Sequence, residues 1–378
     1  MSTDTKEKTL VVIQLTGGND FMNTVVPYNN EHYYDARKKI VISQNDVLPI
    51  NDTLAINNNA RPLKRLFDEG KVAIVQGIGY PNSNRSHFRG MDIWHTCEPD
   101  RVGSEGWLGL AIKDLDPKGE NVLTGVNIGQ GLPRAMSVTG VPITSVGDLE
   151  GYGVMNKIEQ ERLKERALQA FKDIYGQAIG SGQVAEYIGK TGLDVLKGAD
   201  LLANVAAQYK SSVEYADNSI AKSLRDVARV HFANLGTRVF YTNHGGYDTH
   251  ANEMPAHPKL LSDLSGAISD FMDDLKEHDA ADDVAILVFT EFGRRMRDNG
   301  SGTDHGSGGG AFLIGNNVKG GLYSEYPSLN PNDWEHGEDL KHTIDFRGIY
   351  GTVLEQWLGL DAKPIVKGEF EQIKPFYI

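Results

Sequence analysis

Residues 285–315, AILVFTEFGRRMRDNGSGTDHGSGGGAFLIG, constrain the fold more than any other part of the chain. Residues 285–289 (AILVF) and 311–314 (AFLI) are short apolar runs rich in β-favouring side chains. Runs of that length and composition read as strands buried on both faces, which requires helices on either side of a sheet. Between them lies a glycine-rich loop with Glu291, Arg294, Arg295, Arg297, Thr303, Asp304 and His305. In an open α/β sheet, ligands bind beyond the carboxyl ends of the strands, so this loop is the first place to look for chemistry.

The rest of the chain repeats the pattern. Residues 9–15 (TLVVIQL) read as a central buried strand ending in Gly17 and Gly18, which permit a sharp turn and present Asn19, Asp20 and Asn23. Residues 72–79 (VAIVQGIG) form a second strand, followed by Ser83, Arg85, Ser86 and His87 and then a helical pattern. Either serine can serve as an N-cap or, beside Arg85 and His87 at a helix N-terminus, as a nucleophile with anion-stabilising donors nearby. Residues 123–128 and 142–146 read as further short strands in a glycine-rich region. From Met155 to about Gly236 long helical patterns dominate, at 158–175 and 199–215, and residues 154–236 read as a helical insert in one α/β domain spanning 1–378. Residues 238–242 (RVFYT) return to strand character and lead to His244, Asp248, His250 and His257. Three histidines and a carboxylate after a buried strand favour a metal site. Residues 259–278 carry apolar side chains at helical spacing and form the crossover into the loop described above, while 346–358 read as a last amphipathic helix.

Composition narrows the function. Of 378 residues, 40% are hydrophobic and 24% charged, as in an ordinary globular protein. A net charge of −13 argues against nucleic acid and requires any anionic substrate to find a locally positive pocket. The single cysteine, Cys97, excludes an internal disulfide, and no run of 18 apolar residues predicts a membrane span. The first ten residues, MSTDTKEKTL, have no secretion-signal pattern, so the chain as written reads as cytoplasmic.

Four strand-end clusters thus converge at one sheet edge: Asn19/Asp20, Arg85/Ser86/His87, Asp248/His250, and Glu291 with Asp304/His305. Their blocks, TGGNDFMNTVVPY, NSNRSHFRGMDIWHT, GGYDTHANE and FTEFGRRMRDNGSGTDHGSGGG, resemble the pattern of the DUF1501 family, which is similar to the alkaline phosphatase/sulfatase superfamily. The resemblance implies an alkaline phosphatase-like fold with a mostly parallel sheet flanked by helices. It implies Asp20, Asp248, His250, Glu291, Asp304 and His305 as metal ligands, Ser86 as nucleophile, and Arg294 as a positive charge for an anionic substrate, with His87 beside it in the catalytic group. It also departs from the superfamily: where an Asp-His pair is expected after the strand, the chain has Glu291-Phe292, so one metal position is altered, rebuilt or lost. Members of the family often carry a twin-arginine export signal.

The expected function is metal-dependent hydrolysis of a phosphate or sulfate ester, with one or two divalent ions, zinc first and manganese next. The substrate would be a small anionic ester or a sulfated or phosphorylated glycan. The alternative is a non-catalytic descendant that binds an anionic glycan or a protein partner.

Overall fold

A computed structural model describes residues 7–150, 160–179, 182–202 and 205–377. The apolar runs become strands of one large sheet. In chain order these are β1 (Thr9–Thr16), β2 (Val72–Gly79), β3 (Gly125–Ile128), β4 (Thr144–Val146), β5 (Val239–Gly245) and β6 (Val284–Thr290). After β6 a hairpin of β7 (Arg294–Asp298) and β8 (Thr303–His305) stands apart, and β9 (Gly309–Ile314), β10 (Gly321–Tyr323) and β11 (Ile344–Asp345) return to the sheet. The order is β10-β2-β9-β6-β1-β5-β3-β4, with β11 also on β2. Every pairing is parallel except those of β9 with β2 and β6. The fold is therefore α/β with a mostly parallel central sheet, as the sequence predicts.

Direction decides where the chemistry goes. Strands β1, β2, β5 and β6 all end at the same edge, and β9, running the other way, begins there. The segments after Thr16, Gly79, Gly245 and Thr290 are thus neighbours in space.

Helices cover both faces. On one, α1 (Arg61–Asp68), α6 (Ser219–Phe232) and α7 (Glu253–Glu277) bury Leu66, Leu224, Val227, Leu264, Ile268 and Phe271 in one cluster with Val11, Ile13, Ile286 and Val288. On the other, α2 (His87–Thr96), α3 (Trp107–Leu115) and α8 (Phe346–Thr352) pack against Leu10, Val12, Leu287 and Phe289. Alternate residues of β1 and β6 serve opposite layers, as the two-residue strand period requires. Helix α7 connects β5 to β6 across β1, which lies between them.

Local differences from the sequence reading have visible causes. Helices α4 (Glu161–Ala178) and α5 (Gln183–Leu202) pair within the expected helical segment, whose start at 154–158 lies outside the described residues. Of the helix expected at 199–215, the described residues are helical to Leu202 and over Val205–Gln208, with 203–204 outside the described residues, and the helix does not reach Tyr215. Tyr209 and Tyr215 donate their hydroxyls to Asp274 Oδ2 at 2.7 and 2.8 Å, and Ser212 N donates to Glu277 Oε1 at 2.9 Å. These tertiary bonds hold the stretch extended along α7. Helix α6, inside the same segment, is a layer of the core. The helix expected at 346–358 is α8 followed by a π-helical turn, Val353–Trp357. Among the described residues, no helix is long and apolar enough to cross a membrane.

Candidate metal centre

Gly17 has φ +123°, and a Cβ there would strike the backbone N of Asp248, so only glycine lets the β1 turn press against the β5 loop. That contact brings Asp248 over the sheet edge. Arg294, the first residue of β7, fixes it from below. Its guanidinium is fully buried and donates to Asp248 Oδ1 at 2.9 Å, to the carbonyls of Gly18, Tyr247 and Thr303 at 2.6, 2.9 and 2.8 Å, and to that of Gly17. Where the sequence reading puts Arg294 on a substrate anion, the structure puts it behind Asp248, tying its own strand to three other backbone segments.

Three imidazoles converge on the Asp248 carboxylate. His305 Nε2 lies 3.0 Å and His250 Nε2 3.2 Å from Oδ1, and His87 Nε2 lies 3.3 Å from Oδ2. His250 Nε2 and His305 Nε2 are 2.8 Å apart. The ligand atoms of His87, Asp248 and His305 all lie within 4.8 Å of one another. The other nitrogen of each ring is already occupied: His87 Nδ1 by Glu291 Oε1 at 2.9 Å, His250 Nδ1 by Asp304 Oδ1 at 3.1 Å, and His305 Nδ1 by the Arg85 carbonyl at 2.7 Å. With a cation bound, each ring would keep its proton on Nδ1, donated to the acceptor behind it, and turn the Nε2 lone pair to the ion. His87 Nε2 is buried without a hydrogen bond. A divalent cation fits this donor set: neutral imidazoles and one carboxylate, each ring oriented by an acceptor behind it.

The charges agree. Burial would raise the Asp248 pKa, yet hydrogen bonds from His305 and Arg294 bring it down to about 2, so the carboxylate is ionised. Burial lowers His305, favouring the neutral ring. The Glu291 hydrogen bond raises His87. Glu291 is itself held low against burial by bonds from His87, Gly17 N and Thr290. Glu291 and Asp304, expected as ligands, thus lie behind His87 and His250, and His87 takes a ligand's place. Phe292, which cannot bind metal, is a buried wall with ring centroids 4.9 Å from His87 and 4.6 Å from His305.

Asp20 lies apart from this cluster. One oxygen caps Phe21–Thr24, accepting from Met22 N at 3.1 Å and Asn23 N at 3.3 Å. The other pairs with the guanidinium of Arg37, and both side chains are fully buried. Glu253 shares this pocket, accepting from Asn23 Nδ2 at 2.9 Å and Thr303 Oγ1 at 3.1 Å. Burial and the Asp20 charge push Glu253 up to about 8, while Arg37 holds Asp20 low against its burial. Sequence reasoning missed Arg37 altogether, since nothing in YYDARKK distinguishes it; Glu253 stood in the GGYDTHANE block with no role. His244 and His257 bond Tyr247 Oη at 3.0 Å and Asn19 Oδ1 at 2.9 Å, outside the cluster.

Ser86 is exposed at the N-terminus of α2, and its hydroxyl makes no capping bond. It stands between two residues of the centre, Arg85, whose carbonyl holds His305, and His87.

No curated protein matches this sequence. Among solved structures it is similar to a protein in the alkaline phosphatase superfamily from Vibrio parahaemolyticus, with 13% identity over 98% of this chain and 71% of that one, TM-score 0.45. It is also similar to the PsFucS1 sulfatase from Pseudoalteromonas sp., with 13% identity over 98% and 71%, TM-score 0.42. It is likewise similar to the lipoteichoic acid synthase LtaP from Listeria monocytogenes, with 8% identity over 93% of this chain and 72% of that one, TM-score 0.38. At such scores these likenesses carry no inference about chemistry. The sequence model for DUF1501, described as a protein of unknown function, matches residues 79–367, which include every member of the His/Asp cluster, and the chain belongs to that family.

Proposed function

We propose that this protein hydrolyses a phosphate or sulfate ester at a single divalent-metal centre held by His87, Asp248 and His305, with His250 beside them. The observation that carries the reading is the shared orientation of three imidazoles, each with Nδ1 on an acceptor and Nε2 turned to one ionised carboxylate. A bound zinc or similar ion would supply Lewis-acid charge for the ester oxygens and favour ionisation of a hydroxyl nearby. The chain's own residues do the rest. Arg294 and the Gly17 turn fix Asp248, Glu291 and Asp304 orient His87 and His250, and Phe292 closes the inner side of the centre. Ser86, uncommitted and exposed between Arg85 and His87, would act as nucleophile. Its Oγ would bond to phosphorus or sulfur as the ester's alcohol departs, and a water would then break that bond and release the inorganic anion. The substrate class is a small anionic ester or a sulfated or phosphorylated glycan.

The test is turnover of 4-nitrophenyl phosphate and 4-nitrophenyl sulfate by zinc-loaded protein. Asp248→Ala and His305→Ala should abolish it with little loss of fold, and Ser86→Ala should reduce it by about 10³-fold or more. Full turnover in both ligand variants would rule the reading out. Stoichiometric metal without turnover of either ester would favour the non-catalytic alternative, a binder of anionic glycans.

A further inference from the structure

The metal cluster accounts for how an ion is held but not for how an anionic ester is recognised by a chain of net charge −13. Arg294 is unavailable, being buried against backbone carbonyls and Asp248. Arg89 is spent on Asp92 and on the carbonyls of Glu98 and Pro99, at 3.1 and 2.6 Å. Arg297 pairs with Glu338 at 3.4 Å and lies over the Trp334 ring at 5.2 Å.

Arg85 and Arg295 differ. Their side chains are 36% and 31% exposed, and both turn to the same carboxylate, Asp339, which is fully buried. Arg295 Nε lies 3.5 Å and Arg85 Nη1 3.7 Å from Asp339 Oδ1, and neither Asp339 oxygen makes a hydrogen bond. Each arginine is also tied to the metal centre. The Arg85 carbonyl accepts from His305 Nδ1, and Arg295 Nη1 lies 3.9 Å from Asp304, the residue that orients His250. Asp339 is itself anchored: its backbone N and O exchange hydrogen bonds of 2.8 Å with Glu335, and Glu338 O accepts from Met296 N at 3.0 Å on the Arg295 strand.

We infer that Arg85 and Arg295 form the subsite for the charged oxygens of the ester, with Asp339 as the positioning residue behind them. One buried carboxylate serving two guanidiniums leaves the pair one positive charge in excess before Asp304 is counted. It also fixes the inner end of each long side chain, so less rotamer freedom is lost when an anion arrives. Guanidinium groups match the planar, bidentate geometry of phosphate and sulfate oxygens. The inference rests on the hydrolase reading for the identity of the ligand, and not for the existence of an oxyanion site.

Calorimetric titration of inorganic phosphate, and separately of sulfate, into the zinc-loaded full chain tests it, with zinc content measured on the same samples. Wild type should bind at least one anion. Arg85→Gln and Arg295→Gln should each weaken binding by about tenfold or more with zinc content unchanged, as expected for loss of a charge-assisted pair. Asp339→Asn should weaken it as well, again with zinc retained. Should a Gln variant fail to fold by circular dichroism, Arg295→Lys and Arg85→Lys replace it. They keep the charge without the fork, and a loss of several-fold is expected. Zinc-retaining variants that bind as tightly as wild type would overturn the inference, as would a zinc-loaded wild type that binds neither anion. If the chain takes up no zinc, the hydrolase reading fails on its own. The same titrations on zinc-free protein then decide the subsite: arginine-dependent binding supports it and arginine-independent binding or none refutes it.

Discussion

Glu291 is the residue on which metal retention should depend most after the ligands. It is fully buried, accepts from Gly17 N at 2.9 Å, and holds the His87 ring by Nδ1. Glu291→Gln keeps the size and one acceptor oxygen but removes the charge that orients His87. Zinc affinity should fall by about 10–100-fold, the usual cost of losing such an outer partner, measured by competition with a chromophoric chelator. The second residue-scale prediction concerns Glu253. Its folded pKa is raised, from 4.5 to about 8, by burial first and the Asp20 charge next. A carboxyl raised on folding contributes fully below its unfolded value, and that contribution is lost as pH rises through the folded value. The melting temperature should therefore decline between pH 4.5 and about 8, and Glu253→Gln should flatten that decline. An identical pH profile in the variant would show that Glu253 ionises freely in the fold. This pocket was poorly legible in the sequence. Asp20 reads as a ligand because it follows a glycine turn, and nothing local announces that Arg37, seventeen residues on, will reach back to neutralise it.

At the scale of elements, the β6–β9 connection is the working part. Sequence reading had it as a glycine-rich loop, and the structure has a short antiparallel hairpin pairing Arg294 with His305. That pairing puts the guanidinium behind Asp248 while His305 reaches its front. The convergence of clusters at one edge was legible, because strand ends and glycine turns are local signals. The division of labour within the edge was not, since ligand and supporting residue use the same residue types and differ only in which atom faces inward. Phe292 illustrates it: as the residue in a ligand's place it reads as a loss, and in the fold it packs two histidine rings at once. Phe292→Ala should lower stability by about 3 kcal/mol in denaturant unfolding, as for a buried aromatic truncated in a core. It should also loosen zinc binding, because His87 and His305 lose their common wall. Unchanged zinc affinity in a destabilised variant would confine Phe292 to packing.

For the molecule as a whole, strand direction explains why residues 16 to 305 meet. All strands of the sheet but β9 run one way, so their following segments lie along a single edge. Alternating strand and helix signals made this architecture readable, whereas the bounds of the helical region were not, because Asp274 and Glu277 on α7 draw out the stretch around residues 209–215. One metal centre is expected, with the Asp20 pocket neutralised internally by Arg37. Elemental mass spectrometry of the full chain, purified without chelator and again after zinc is added back, tests this most directly. One ion per chain, lost in Asp248→Ala and His305→Ala and kept in Asp20→Asn, is the predicted result. No bound metal after zinc is restored, or a second ion that disappears with Asp20→Asn, would contradict it.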